Sequence, residues 1–182
     1  MAGRKKPKEK RTLTASTRSY LRGDPRPVVA LYRVRDGRWF PLDWDPTNTL
    51  TLGSDIAASL QVMDPTVSGA HCILEREGEA VVLHEVVLQT PNGEKRPRNG
   101  TWVNGGRLRG DWVLQHGHAI TIGRTLLVAA ASMDEPPPCD IVASSLGQFV
   151  RRAVSMLRTV AQAARFIRVP RATVSRWKET RT

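Results

Sequence analysis

The chain has 182 residues, 40% of them hydrophobic, with a net charge of +11; that allows one large domain or a small domain with appendages. Two cysteines, Cys72 and Cys139, exclude a disulfide framework and a cysteine metal cluster, which fits a reduced, cytoplasmic chain. The longest apolar run, around Leu126 to Ala131, is far short of the roughly 20 residues that cross a bilayer, so no membrane partner is expected.

In chain order, residues 1–26 come first. They carry nine Lys/Arg against two acids and have little to bury, which predicts a disordered basic arm. The basic start has no apolar stretch behind it and so does not read as a secretory signal. From residue 27 to 132 the pattern is short β-like runs broken by turns. The expected strands are Val28–Val34, Thr49–Leu52, Leu60–Met63, Cys72–Glu75, Ala80–His84, Thr101–Val103, Ala119–Ile122 and Leu126–Ala130. Gly53, Gly78, Asn92-Gly93, Asn99-Gly100, Asn104-Gly105 and Gly123 supply turn chemistry between them. Many short strands at close spacing imply an all-β sandwich or barrel.

Residues 133–140, with three consecutive prolines at 136–138, read as a stiff linker. Beyond it Val142, Leu146, Phe149, Ala153, Met156 and Val160 recur at spacings of four and three, one face of a helix over about 141–158. Residues 139–182 carry nine Lys/Arg against two acids, whereas 27–138 have ten basic and thirteen acidic residues. Two basic ends thus flank a mildly acidic centre, a pattern that suits a polyanion such as nucleic acid. The fold expected is two modules: an all-β sandwich over 27–132 and a small all-α domain over 141–182.

Two segments of the first module, VSGAH at Val67–His71 and RNGTWVNG at Arg98–Gly105, resemble the signature of a forkhead-associated (FHA) domain. The resemblance implies a sandwich whose end loops read phosphothreonine peptides. Ser68 matches the serine that donates to a phosphate oxygen, and Asn99 the asparagine that brackets the peptide backbone. His71, Gly100 and Thr101 match structural positions of that site. The family has a Gly-Arg pair before the Ser-x-x-His, where this chain has Gly53-Ser54. A hydrogen bond to a charged group contributes about 1.5–3 kcal/mol, so the missing arginine predicts phosphate binding weaker by roughly 10- to 150-fold. Gly69 also replaces a residue that is often polar. An insertion from Gln89 to Arg98 adds Lys95, Arg96 and Arg98; Arg98, beside Asn99, or Arg96 is the candidate to restore the charge, the alternative being a solvated loop whose charges contact nothing.

The segment VAQAARFIRVPRATVSRWK, Val160–Lys178, resembles a helix-turn-helix of the Fis type found at the end of many bacterial enhancer-binding activators. Ala163 and Ala164 allow close helix approach, while Ile167, Val169, Val174 and Trp177 occupy the burying positions. Pro170 suits the first turn of a recognition helix. The face left for DNA carries Arg171, Thr173, Ser175 and Arg176. The apolar stripe of the preceding helix either covers the helix-turn-helix core alone or also pairs a homodimer through 141–158.

His71, His84, His116 and His118 show no metal-ligand spacing with the cysteines or acids, and no phosphate loop or nucleotide fingerprint is present. The expectation is therefore no enzyme, no metal and no cofactor. The leading reading is a DNA-binding transcriptional regulator whose FHA-like domain docks a partner protein, in phosphothreonine form or not. The competing reading is a protein-interaction adaptor with a degenerate FHA domain and no specific DNA binding.

Overall fold

The computed structural model describes residues 26–137, 139–157 and 162. The expected basic arm lies outside these residues apart from Arg26, and the expected helix-turn-helix lies outside them apart from Gln162. Among the described residues there are thirteen strands and one long helix. The strands are β1 (Ala30–Arg33), β2 (Arg38–Pro41), β3 (Thr49–Gly53), β4 (Leu60–Gln61), β5 (Cys72–Glu77), β6 (Ala80–Glu85) and β7 (Leu88–Thr90). They continue with β8 (Gly93–Lys95), β9 (Thr101–Val103), β10 (Gly106–Arg107), β11 (Trp112–Leu114), β12 (Ala119–Ile122) and β13 (Thr125–Ala130), followed by α1 (Cys139–Leu157).

One sheet has the order β10-β9-β12-β13-β1-β2 and the other β11-β6-β5-β3-β4, with β7-β8 a separate hairpin. The two larger sheets face each other over a single core. β5 alternates buried and half-buried side chains, the period-two pattern of a strand with one face covered. Leu31, Leu52, Leu74, Leu83, Ile120, Ile122 and Leu127 are fully buried, and Leu52 and Leu74 hold their places through the β3–β5 register. Burial of such side chains contributes roughly 1.5–3 kcal/mol each. The strand pairings are antiparallel except that β3 and β4 run parallel, with Leu52 opposite Leu60. The expected all-β sandwich is thus present. β2, β10 and β11 were not anticipated, and the insertion after Gln89 is partly the β7-β8 hairpin rather than plain loop.

β12 and β13 are buried at every position. Leu127 and Ala129 point into the core, so their neighbours Leu126, Val128 and Ala130 lie on the outer face of the sheet and must be covered from outside. α1 lies against β13. Its face carries Gln148, which sits over Gly105, and Arg152, whose guanidinium stacks 4.1 Å from the centre of the Trp102 ring. Phe149 lies on the same face and is buried. The expectation that the stripe serves the helix-turn-helix core or a second copy is corrected here for this face. The reason is the apolar outer surface of β12 and β13, which a helix inside the same chain covers first. The helix also begins at Cys139, within the span read as linker. No helix among the described residues is long and apolar enough to cross a membrane.

Candidate functional site

The site expected from Ser68, Arg98 and Asn99 lies where the loops β3–β4, β4–β5 and β8–β9 meet at one end of the sandwich. The first two loops are joined backbone to backbone. The Ser54 N–H donates to the Ser68 carbonyl at 3.0 Å and the Asp55 N–H to the Gly69 carbonyl at 3.1 Å. Gly53 is what permits this approach, since a Cβ there would stand 1.8 Å from the Gly69 carbonyl oxygen. The Ser54 hydroxyl turns inward and donates to the Val67 carbonyl at 2.8 Å. It is a loop tie, not a phosphate ligand. The next residue brings negative charge: a carboxylate oxygen of Asp55 lies 3.5 Å from where a Cβ at Gly69 would be. Both departures from the family pattern therefore fall on one spot, and an acid occupies its edge.

His71 is fully buried beneath this junction. Its Nδ1 accepts the Ser68 N–H at 3.1 Å, so the neutral ring carries its proton on Nε2, the side toward the Gly100 backbone. Burial pushes its pKa below 6.5, with the Arg107 and Arg152 charges acting in the same direction against Glu85. His71 is thus a buried tie beneath the Ser68 loop. Cys72 beside it is buried and pushed up to about 12 by burial, with its sulfur 3.1 Å from the Thr101 hydroxyl, an inert core thiol.

A second tie runs through Asp64. Its carboxylate accepts the Thr66 N–H at 2.9 Å, the Thr66 hydroxyl at 2.7 Å and the Thr125 hydroxyl at 3.0 Å. Burial works to raise its pKa, but these hydrogen bonds and the Arg124 charge outweigh it and hold the carboxyl below the usual 3.8. The Thr66 hydroxyl in turn accepts the Arg124 N–H at 2.9 Å. The Ser68 loop is therefore fixed to the β12–β13 turn as well as to β3.

The third loop is fixed by Asn99, whose side-chain amide donates to the Thr66 carbonyl at 2.7 Å. Gly100 follows with φ +62°, and a Cβ there would lie 1.5 Å from the Arg107 guanidinium. Arg107 meets Glu85 through two hydrogen bonds of 2.7 and 2.8 Å, and the same carboxylate accepts the Thr101 N–H at 2.7 Å. Thr101 is buried, again structural. Arg96 meets Glu94 at 3.0 Å and approaches Glu85 at 3.9 Å, so the charges of the insertion are not all without contact. Arg98 differs: it is exposed and makes no ion pair or hydrogen bond among the described residues. The Ser68 hydroxyl is likewise unspent.

Sequence reasoning thus placed Ser68, His71, Asn99, Gly100, Thr101 and Arg98 at one end of one module. It missed Asp55, Asp64, Thr66, Glu85, Arg107 and Arg152. Of these only Asp64-Pro65-Thr66 carried a local signal, the side-chain-to-backbone chemistry that Asp and Thr offer two residues apart. Glu85 and Arg107 are 22 residues apart and Arg152 is 53 from Asn99, and no local pattern pairs them. The DNA-facing set, Arg171, Thr173, Ser175 and Arg176, lies outside the described residues. His118 is a buried acceptor for the Trp112 indole and the Gln115 N–H. Among the described residues no three His, Cys, Asp or Glu side chains are arranged to hold a metal ion.

Comparison with known proteins bears on the same segment. A family model described as FHA domain matches residues 50–123. No curated protein matches the chain. Among solved structures, Mycobacterium tuberculosis EmbR in complex with a low-affinity phosphopeptide is similar at 21% identity and a TM-score of 0.50, over 67% of this chain and 30% of EmbR. The FHA domain of the Chlamydia trachomatis CT664 protein is similar at 21% identity and a TM-score of 0.46, over 56% of this chain and 94% of that one. An FHA domain from a study of phosphothreonine-dependent FHA interactions is similar at 23% identity and a TM-score of 0.46, over 57% and 95% of the two chains. With the sandwich in place, the Ser68 loop seated on His71 and the Asn99-Gly100-Thr101 turn locked across from it, residues 50–123 form an FHA domain.

Proposed function

We propose that this FHA domain docks a threonine-phosphorylated segment of a partner protein at its loop end, as a binding module rather than an enzyme, in the cytoplasm. Ser68 and Arg98 meet the phosphate, and the free side-chain carbonyl of Asn99 accepts from the peptide backbone. One observation carries this reading. The loops are tied on every side by backbone and buried side-chain bonds, while the Ser68 hydroxyl and the Arg98 guanidinium at that same end are left unspent. EmbR, which shares the fold, is seen with a low-affinity phosphopeptide, and Asp55 at the edge of the site also argues for modest affinity. Calorimetric titration with matched phosphorylated and unphosphorylated threonine peptides tests it. A preference of at least about tenfold that falls on Ser68→Ala and on Arg98→Ala is expected; equal affinity for the two peptides removes the phosphothreonine reading.

A second reading concerns residues 160–178. Their match to a Fis-type helix-turn-helix, together with nine basic residues against two acids over 139–182, supports DNA binding and a role in transcription. The salt dependence of such binding follows the number of phosphates neutralised. Selection of DNA fragments by the purified protein tests this. Binding that survives charge reversal of both Arg171 and Arg176 leaves the adaptor reading in its place.

A further inference from the structure

Arg152 belongs to α1, yet its guanidinium reaches the peptide-reading turn of the sandwich. Its Nη2 donates to the Asn99 carbonyl at 3.2 Å, and the Trp102 indole N–H donates to the same oxygen, also at 3.2 Å. The guanidinium carbon lies over the Trp102 ring, 4.1 Å from its centroid, where the ring face attracts a cation. Only 9% of Arg152 is exposed, and no carboxylate among the described residues pairs with it. Burial, and after it the like charge of Arg107, holds its pKa down at about 9.

A buried cation without a counter-charge is a net cost to folding. A Leu or Met at position 152 would cover the Trp102 ring without it. What the arginine adds is a fixed donor on the carbonyl of Asn99, the residue whose amide clamps the Ser68 loop through Thr66. The chain therefore runs from helix to guanidinium, to Asn99, to the second binding loop. The first link is the arginine's own side chain, and the other two are hydrogen bonds of 3.2 and 2.7 Å.

We infer that Arg152 is a positioning residue for the phosphopeptide site, and that α1 docked on the sandwich is part of that site's construction. Binding at the loops and docking of α1 are then linked: each strengthens the other by the same factor. A peptide at one end of the sandwich tightens the root of the C-terminal segment at the other end of that chain of bonds. The peptide-affinity consequence rests on the function proposed above; the placement of Asn99 does not.

The test uses the full chain with Arg152→Met, which keeps the stem over Trp102, and Arg152→Lys, which keeps charge and a donor. Two readouts are taken without peptide: the side-chain amide resonances of Asn99, and hydrogen exchange at Gly100, Thr101 and Leu108. Protection of the β13 amides reports whether α1 remains docked. With β13 protection intact, Arg152→Met is expected to shift the Asn99 amide signals and speed exchange at the turn by roughly tenfold, with partial recovery in Arg152→Lys. Unchanged Asn99 signals and turn exchange in Arg152→Met overturn the inference. If β13 protection is lost too, Arg152→Lys decides: native β13 protection with native Asn99 signals supports positioning by the cation, and native β13 protection with displaced Asn99 signals refutes it for any donor but the fork itself. Loss of β13 protection in Arg152→Lys as well makes Arg152 a docking residue only and overturns the inference. Calorimetry with the phosphothreonine peptide is a separate arm. Absence of binding to the wild-type chain there counts against the proposed function and leaves the Asn99 result standing.

Discussion

Glu85 and Arg107 meet fork to fork, at 2.7 and 2.8 Å, directly beneath the Gly100 turn. The pair replaces what a hydrophobic layer would do elsewhere: it fills the space under a backbone that must sit in the left-handed region. The Glu85 side chain is 5% exposed, and it also holds the Thr101 N–H. Glu85→Ala strands Arg107 near the buried cation Arg152. Removing one partner of a buried pair costs about 3–5 kcal/mol; with Arg107 30% exposed, a loss of about 3 kcal/mol is expected in urea unfolding. A loss below about 1 kcal/mol would show the pair to be no more than a surface contact.

Gly53 holds two loops together by having no side chain. In Gly53→Ala the methyl meets the Gly69 carbonyl oxygen, which belongs to backbone and has no rotamer to yield. Overpacking of this kind costs about 1–3 kcal/mol. Thermal melting and the amide exchange of Ser54 and Asp55, whose hydrogen bonds cross the junction, are expected to change together. Native exchange at both amides would contradict the account of the junction.

Reversing the departures at the phosphate edge should raise affinity. Ser54→Arg alone places the new cation beside Asp55, which competes for it. The double change Ser54→Arg with Asp55→Asn is expected to bind a phosphothreonine peptide at least about tenfold more tightly than the single one or the wild type, from one added charge-assisted bond. Calorimetry measures this. No gain in the double variant would place the phosphate elsewhere.

Acid should weaken the fold in two separate windows. The folded pKa of His71 lies below its ordinary 6.5. Unfolded chains therefore take up a proton first, and the stability due to neutral His71 is present above 6.5 and lost as pH falls toward the folded value. Asp64, also held below its ordinary 3.8, contributes stability above that value that is lost only in stronger acid. Denaturant titrations from pH 7 to 3 should show both slopes. His71→Gln is expected to remove the upper one and keep the lower; an unchanged upper slope would assign it to another group.

Phe149 tests whether α1 belongs to the sandwich. Its truncation to Ala in a packed face costs about 3–5 kcal/mol, and exposure of Leu126, Val128 and Ala130 should follow. A lowered melting temperature for the sandwich itself, read by loss of the β-sheet circular dichroism, is the expected result. An unchanged sandwich transition would show α1 to be an independent unit.

Much of the domain was legible in the sequence because its signals are local. Thr101–Val103 and Ala119–Ile122 begin and end where the short runs between turns place them, since Asn99-Gly100, Asn104-Gly105 and Gly123 bound them. β2 was missed because Arg38-Trp39-Phe40-Pro41 mixes a charge and a proline into a short run. Its arginine is accommodated over the Phe40 ring, a contact that no hydropathy pattern expresses. β11 is three residues long and follows Asp111, too short for a period to show. At the site, the residues that touch a ligand in the resemblance were readable. Those that hold them were not, because Glu85, Arg107 and Arg152 act across the fold. The helix stripe gave a helix but not its partner; the uninterrupted apolar run of β13 was the sign that its outer face was taken.

The pairing of β1 with β13 has a topological result. Ala30 stands opposite Ala130, and the Val29 N–H donates to the Ala130 carbonyl at 2.8 Å. The entrance and exit of the sandwich are therefore neighbours, although a hundred residues separate them. A new joint across residues 26 and 132 would therefore cross one edge of the sandwich and not its length.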